Sequence, residues 1–261
     1  MTCRWAKPGE KHGLQVLWSR VFGDGPDVTE PFFRLFPPEQ HTRVIPDRYG
    51  IASMASWLPV MLCTGERNYN GAYVYAVATA PERRGEGLAS ALVEDLDSAL
   101  SDAMIDFACL CPASPRLYGF YSALGYEAAF SCGHFSTGPA DRGLALTPVD
   151  GARYRALRRE YMTGPFCDWP PSAFSFLEAT GTHFYSFTGG CAAVSLLPGG
   201  TVRVQELLAG DPAGAAQGLC SALGAGRAEV FTPGTEQPGG MLKWFTFGQK
   251  IPPVHLGFAF D

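Results

Sequence analysis

The stretch that most constrains the chain runs from Ala72 to Leu100. It opens with "AYVYAVAT", apolar almost throughout and rich in β-branched and aromatic side chains. It passes through "APERRGEG" and continues with leucines at 88, 92, 96 and 100. An unbroken apolar run of this kind reads as a central strand buried on both faces. Leucines at every fourth residue mark an amphipathic helix, with Glu94, Asp95 and Asp97 expected to turn elsewhere. The stretch is therefore a buried strand, a glycine-rich charged loop and a helix, in that order.

The flanking sequence extends this pattern. "TCRWA" reads as a short strand, and "EKHGLQVLWSRVF" as a helix with Leu14, Val16, Leu17, Val21 and Phe22 on one face. "VTEPFFRLF" is a second, shorter helical piece. "TRVIPDRYG" and "IASMASWLPVML" read as a hairpin whose first strand is bent or at an edge, because it carries Pro46. After the leucine helix come a strand, "IDFACLC", a helix, "RLYGFYSAL", stopped by Gly125, and a strand, "YEAAFSC". The order β-α-α-β-β-β-α-β-α-β is that of an α+β fold. "STGPADRG", Ser136 to Gly143, is a linker candidate, which divides the chain into domains over 1–138 and 144–261. The second half repeats part of the plan: a strand and a basic helix in "LALTPVDGARYRALRREYM", three strands broken by "TGG" and "LPGG", a helix with Asp211 as N-cap and Pro212 at its first position, and the strand "AEVFTP".

The loop between strand and helix carries the chemistry. A helix start exposes unpaired N–H groups and the positive end of the helix dipole, so it attracts anions. Gly85 and Gly87 allow close backbone approach to a bulky anion. Arg83 and Arg84 add charge that suits phosphate oxygens. The segment reads as a pyrophosphate cradle; the alternative is a tight turn with surface arginines. "GEGLAS" approaches the dinucleotide pattern G-x-G-x-x-G, with Ser90 in the third glycine's place, but Asp106 falls at the start of the next strand and not at its end. No G-K-[ST] follows, so it is not a P-loop.

Composition excludes other classes. Charged residues make up 17% of the chain and the formal net charge is -5, unlike the basic stripe of a nucleic-acid binder. The longest apolar stretch is far short of the about 20 residues of a membrane span, and the first residues have no apolar signal core. A cytoplasmic protein with no membrane and no nucleic-acid partner is expected. The eight cysteines contain no C-x-x-C pair and read as reduced thiols, with Cys109 and Cys111 spaced to share a strand face. The five histidines are scattered, so no metal is expected.

"VATAPERRGEGLASAL" resembles the acyl-CoA loop of the GCN5-related N-acetyltransferases, whose signature is [QR]-x-x-G-x-[GA]; Arg84, Gly85, Glu86, Gly87, Leu88 and Ala89 fall on it. The family's second motif, Y-x-x-x-G-[FY], is matched by Tyr121, Gly125 and Tyr126. The resemblance covers about residues 1–135. It implies a central mixed sheet flanked by helices that binds acetyl-CoA as cosubstrate, with a neutral primary amine attacking the thioester directly. The diphosphate would lie on Arg84 to Ser90 and the pantetheine arm along the backbone of Val77, Ala78 and Thr79. Ser114 stands where the family often has Asn, and would replace part of its hydrogen bonding. Tyr121 is placed to protonate the departing thiolate, with Tyr118 as the competing hydroxyl. No motif singles out a base; Asp24, Asp27 and Glu30, between the first two helices, are the candidates.

The second half begins its helix with "GDPAG", where Asp211 would repel a phosphate, so it reads as a degenerate copy that shapes the acceptor cleft. A tandem of this kind resembles the enhanced-intracellular-survival acetyltransferases, which acetylate amines of aminoglycosides or lysines and carry a third, sterol-carrier-like domain whose terminal carboxylate enters the active site. No such third domain is expected within these 261 residues. The chain's apolar ending, "PVHLGFAFD", reads as a strand, either ordinary edge-strand packing or one that packs between the halves and brings Asp261 near the acceptor as base or amine anchor. The acceptor is a small-molecule or peptide amine, and a homo-oligomer is possible. Two other classes stay open: an acyl-CoA-binding sensor without catalysis, and a dinucleotide-dependent oxidoreductase.

Overall fold

A computed structural model describes residues 2–140, 143–246 and 254–260. The elements in chain order are β1 (Arg4–Trp5), α1 (Lys11–Phe22), α2 (Pro26–Leu35), α3 (Pro38–His41), β2 (Thr42–Asp47), β3 (Gly50–Cys63), β4 (Asn68–Thr79), α4 (Leu88–Asp102), β5 (Phe107–Leu110), α5 (Pro115–Ala123) and β6 (Glu127–Thr137). They continue with β7 (Thr147–Val149), α6 (Gly151–Tyr161), β8 (Phe166–Asp168), α7 (Pro171–Ala179), β9 (Thr182–Phe187), β10 (Gly190–Leu197), β11 (Thr201–Ala209), α8 (Pro212–Ala222) and β12 (Arg227–Trp244). Two short 3-10 turns precede α1 and α4. The mixed strands and helices are those of an α+β fold, and the first half follows the expected order, with α3 added.

The chain divides into two compact units that are not two consecutive pieces of sequence. The first holds 1–60, 69–127 and 241–249; the second holds 61–68, 128–240 and 250–261. The difference from a single boundary at the 136–143 linker comes from β3 and β12, each of which has one end in each unit.

In the first unit the strand order is β1-β2-β3-β4-β5-β12. β2 and β3 form the expected hairpin, and its register shifts between Ile45 and Pro46, where the proline removes a ladder donor. β4 lies between β3 and β5. Leu88, Leu92, Leu96 and Leu100 of α4 are all buried and share one cluster with Ala72 and Val74 of β4 and Ala108 and Leu110 of β5. One expectation fails here: Asp97 does not turn outward but is 4% exposed. It stands one turn after Val93, which is also buried, so the inward face of α4 is wider than the leucine row. The last strand, expected only over "AEVFTP", continues to Trp244, and Met241–Trp244 pairs antiparallel with Leu110–Phe107.

In the second unit the order is β12-β11-β10-β9-β7, with β6 on β12 and β8 on the end of β3. β8 and α7, in a segment that carries no clear periodicity, were not expected. The core contains an ion network. Glu206 accepts from Tyr154 Oη at 2.9 Å and from Arg158 Nε at 2.8 Å, and lies 2.8 Å from His255 Nε2. Arg158 and Glu206 are fully buried. Burial opposes the Glu206 charge, but Arg158 and His255 outweigh it and hold the carboxyl at about 2. The chain end is not a regular strand. Val254 and His255 form single bridges, and Phe258 and Phe260 insert among Tyr154, Trp169, Phe174 and Phe176 in this unit.

Candidate active site in the first unit

The site begins where two parallel strands part. β4 and β5 pair at Gly71, Ala72 and Tyr73, and the register stops at Tyr73↔Cys109, although β4 runs on to Thr79. Ala76 follows with φ 50°, a left-handed conformation that costs a non-glycine residue roughly 1–2 kcal/mol. Past this kink, one edge of β4 is held by β3. Ser53 Oγ donates to the Ala78 carbonyl at 2.9 Å, and the Ala80 N–H donates to the Ala52 carbonyl at 2.9 Å. Backbone groups alternate between strand edges. Val77 and Thr79 therefore present theirs to the side that β5 has left, while Ala78 is committed to β3.

The loop after β4 turns through Pro81–Arg83. Gly85 and Gly87 have φ 84° and 75°, and a Cβ on either would meet no protein atom within 4 Å. The glycines are thus required by backbone conformation, and the space in front of them is open. Gly87 is the N-cap of α4, and among the described residues no side chain is bonded to this helix start. The first N–H bonded back to the cap is that of Ala91, to the Gly87 carbonyl at 3.1 Å, so the N–H groups of Leu88, Ala89 and Ser90 begin the helix ahead of it. Helix α8 in the second unit differs: the Gly214 N–H donates to Asp211 Oδ1 at 3.0 Å, so a carboxylate closes that N-terminus.

The two arginines have different surroundings. Arg83 is bound to Glu86 at 2.8 Å and to Asp47, and both carboxylates raise its pKa. It holds the loop, and Glu86 is occupied by it. Arg84 is exposed, and among the described residues its one hydrogen bond is a long 3.4 Å contact from Nε to the Thr79 carbonyl. Its guanidinium is therefore placed to meet a phosphate. The residues from Arg84 to Ser90 fit a diphosphate group: open space before two glycines, an uncapped helix start and an uncommitted guanidinium.

Tyr121 lies on α5, which begins after Ser114. Ser114 is half-buried, and its side chain makes no capping bond. Tyr121 is 8% exposed and belongs to the cluster with Leu88, Val74 and Leu110. Its hydroxyl makes no hydrogen bond with any described residue, and burial pushes its pKa up to about 12. The end of α5 explains the second motif. The Tyr126 N–H donates to the Tyr121 carbonyl at 3.1 Å, and the Gly125 N–H to the Ser122 carbonyl at 3.0 Å, with Gly125 at φ 89°. This is a Schellman C-cap. Its characteristic side-chain contact is the Tyr121–Tyr126 ring pair at 5.8 Å.

Other expected residues are placed differently. Asp27 and Glu30 belong to α2 and not to a loop. Glu30 is bound to Lys11 and Gln15, and Asp24 accepts from Trp18 Nε1 at 2.7 Å. The Glu30 contacts join α1 to α2, and the Asp24 contact ties the intervening loop to α1. The aromatic side chains of the same segment, Phe32, Phe33 and Phe36, lie in the core, each at most 3% exposed. Asp261 lies outside the described residues. Among the described residues, no group of three or more His, Cys, Asp or Glu could hold a metal ion, and no helix is long and apolar enough to cross a membrane. Sequence reasoning missed Ala76, Asp97 and Lys243. Only Asp97 left a signal, its spacing from Val93.

Residues 2–129 match the family model described as an acetyltransferase (GNAT) domain. No curated protein matches the chain in sequence. Among solved structures, the chain resembles a GCN5-related N-acetyltransferase from Kribbella flavida, with TM-score 0.71 and 19% identity over 93% of this chain and 70% of that one. It also resembles Eis1 from Mycobacterium abscessus, with TM-score 0.68 and 13% identity over 94% of this chain and 74% of that one. A putative acetyltransferase from Pyrococcus horikoshii aligns over 99% of this chain and 92% of its own, with TM-score 0.64 and 15% identity. At such identities the likeness is one of fold, and it extends past residue 129 into the second unit. Residues 2–129 are therefore those of an acetyltransferase (GNAT) domain.

Proposed function

We propose that the chain is an acyl-CoA-dependent N-acetyltransferase that moves an acetyl group from acetyl-CoA to a primary amine by direct attack. The observation that carries this reading is the end of β4–β5 pairing at Tyr73 and Cys109, followed on the same strand by a glycine loop and an uncapped helix start. Acetyl-CoA, when bound, supplies the thioester carbonyl that the amine attacks. Arg84, the loop N–H groups and those of Leu88, Ala89 and Ser90 hold its diphosphate. The backbones of Val77 and Thr79 pair with the pantetheine arm, and Ser114 adds a hydroxyl near the start of α5. A free N–H on this edge of β4 is suited to the oxyanion. The amine nitrogen forms the new C–N bond and loses its proton, while the C–S bond breaks. Tyr121, held protonated by burial, donates from Oη to the leaving sulfur. With a pKa of about 12 it is a weaker acid than an ordinary thiol near 8.5, so its main effect is a hydrogen bond to developing thiolate charge.

The second half, on this reading, is a copy whose anion site Asp211 has closed, kept to shape the acceptor cleft, and Asp261 anchors or deprotonates the amine. Deleting Asp261 alone tests that role and leaves Phe260 in place; unchanged turnover would remove it from the mechanism. The main test follows thiol release from acetyl-CoA over a panel of polyamines, aminoglycosides, amino acids and peptides, in the native enzyme and in Tyr121→Phe. The reading expects at least one amine to support release, with a loss in Tyr121→Phe at unchanged CoA affinity. CoA binding with no release over the whole panel would make the chain a sensor.

A further inference from the structure

Tyr121 packs against a ring from just beyond its own helix. In the C-cap of α5, Tyr126 both closes the backbone and lays its ring against Tyr121. Tyr126 is 1% exposed, and its hydroxyl donates to Asp97 Oδ1 at 2.7 Å. The other oxygen, Oδ2, accepts from Lys243 Nζ at 2.8 Å. Lys243 pairs with Ala108 on β5, and its ammonium lies 5.7 Å from the Tyr126 ring. One buried carboxylate therefore joins α4, which begins at the glycine loop, to the cap of α5 and to the end of the last strand. A carboxylate at this depth is costly unless its partners are held in place. Burial pushes the Asp97 carboxyl upward, while Lys243 and Tyr126 oppose that shift. An apolar residue would fill the same space on α4 without that cost, so packing alone does not explain the choice.

We infer that Asp97 and Lys243 are positioning residues for Tyr121, acting through Tyr126, so that the end of β12 is part of the acid machinery. This rests on the reading of Tyr121 as the acid. Neither residue touches a reacting atom. Asp97 fixes where the Tyr126 ring stands, that ring limits the rotation of Tyr121, and Lys243 fixes Asp97.

The test is a double-mutant cycle, which separates action through Tyr121 from general destabilisation. Asp97→Asn and Tyr126→Phe are each made alone and with Tyr121→Phe. Thiol release from acetyl-CoA is followed with the fastest amine of the panel, and without amine as slow hydrolysis. Asp97→Asn is expected to lower kcat about tenfold, the scale of a small misplacement of a reacting group, with KM for acetyl-CoA within twofold. In the Tyr121→Phe background it lowers kcat no further. Independently of turnover, the Tyr121 ring resonance, identified by its loss in Tyr121→Phe, shifts in tyrosine-ring 13C spectra of Asp97→Asn. An equal fold-loss in both backgrounds, or unchanged kcat with an unmoved resonance, overturns the inference. If Asp97→Asn does not fold, Tyr126→Phe, which removes one oxygen, carries the same expectation at about threefold. If Tyr121→Phe alone keeps full turnover, the acid reading fails, and the Tyr121 resonance still decides whether Asp97 sets its position.

Discussion

Tyr73 and Cys109 are the last residues that β4 and β5 pair with each other, and β4 runs on beyond them to Thr79 and the glycine loop. The parting leaves Val77 and Thr79 with backbone groups directed at the gap. It ends beside a helix start whose N-cap, Gly87, makes no side-chain capping bond.

Gly87 stands at φ 75° with open space before it. Gly87→Ala is expected to cost about 1 kcal/mol of stability from the left-handed backbone alone. It should lower CoA affinity by tenfold or more, because the methyl group occupies space that the phosphates need. Thermal melts and calorimetric CoA titration measure the two effects separately, and a loss of stability without a loss of affinity would count against the cradle.

Arg83 and Arg84 are neighbours with different tasks. Arg84→Gln should weaken CoA binding about five- to tenfold, roughly one charge-assisted hydrogen bond, and flatten its salt dependence. Arg83→Gln, whose guanidinium is taken by Asp47 and Glu86, should change affinity by less than about threefold. Titrations at two ionic strengths would reverse these assignments if Arg83 proved the more sensitive.

With a Tyr121 pKa of about 12, the phenol stays protonated throughout the neutral range. Tyr121→Phe should lower kcat about a hundredfold. No alkaline limb below about pH 10 in the native profile should come from this group. Because folding raises its pKa, Tyr121 contributes stability that is complete below the unfolded value near 10 and is lost as pH rises towards 12. A pH–rate profile with a limb near 9 that vanished in Tyr121→Phe would contradict the burial effect.

The Glu206 network predicts behaviour in acid. Its carboxyl is depressed from 4.5 to about 2, so its contribution to stability is present above about pH 4.5 and is lost as pH falls through 2. Arg158→Met leaves a buried carboxylate without its main partner and should cost about 3–5 kcal/mol in denaturant unfolding at pH 7. Glu206→Gln should flatten the native dependence of stability between pH 4.5 and 2; a variant that kept the full slope would show that other carboxyls carry it.

Much of the frame was legible in the residues because it depends on local periodicity. The leucine row of α4, the Pro46 irregularity, the Asp211–Pro212 helix start and the turns between β9, β10 and β11 each follow from side chains a few positions apart. The two glycines and Arg84 pointed to the loop for the same reason, since backbone conformation and charge at a helix start are properties of a short segment. The spacing of Tyr121, Gly125 and Tyr126 is also local: it is the spacing of a Schellman cap.

What the sequence by itself determined was this set of elements and the loop between β4 and α4. Tertiary structure alone decided which neighbours complete them. The parting of β4 from β5, the return of Lys243 beside Ala108 and the burial of Asp97 between Tyr126 and Lys243 join residues up to 146 positions apart. Strand pairing and the desolvation of a charge depend on what the folded chain brings alongside, and periodicity within one element carries no record of that.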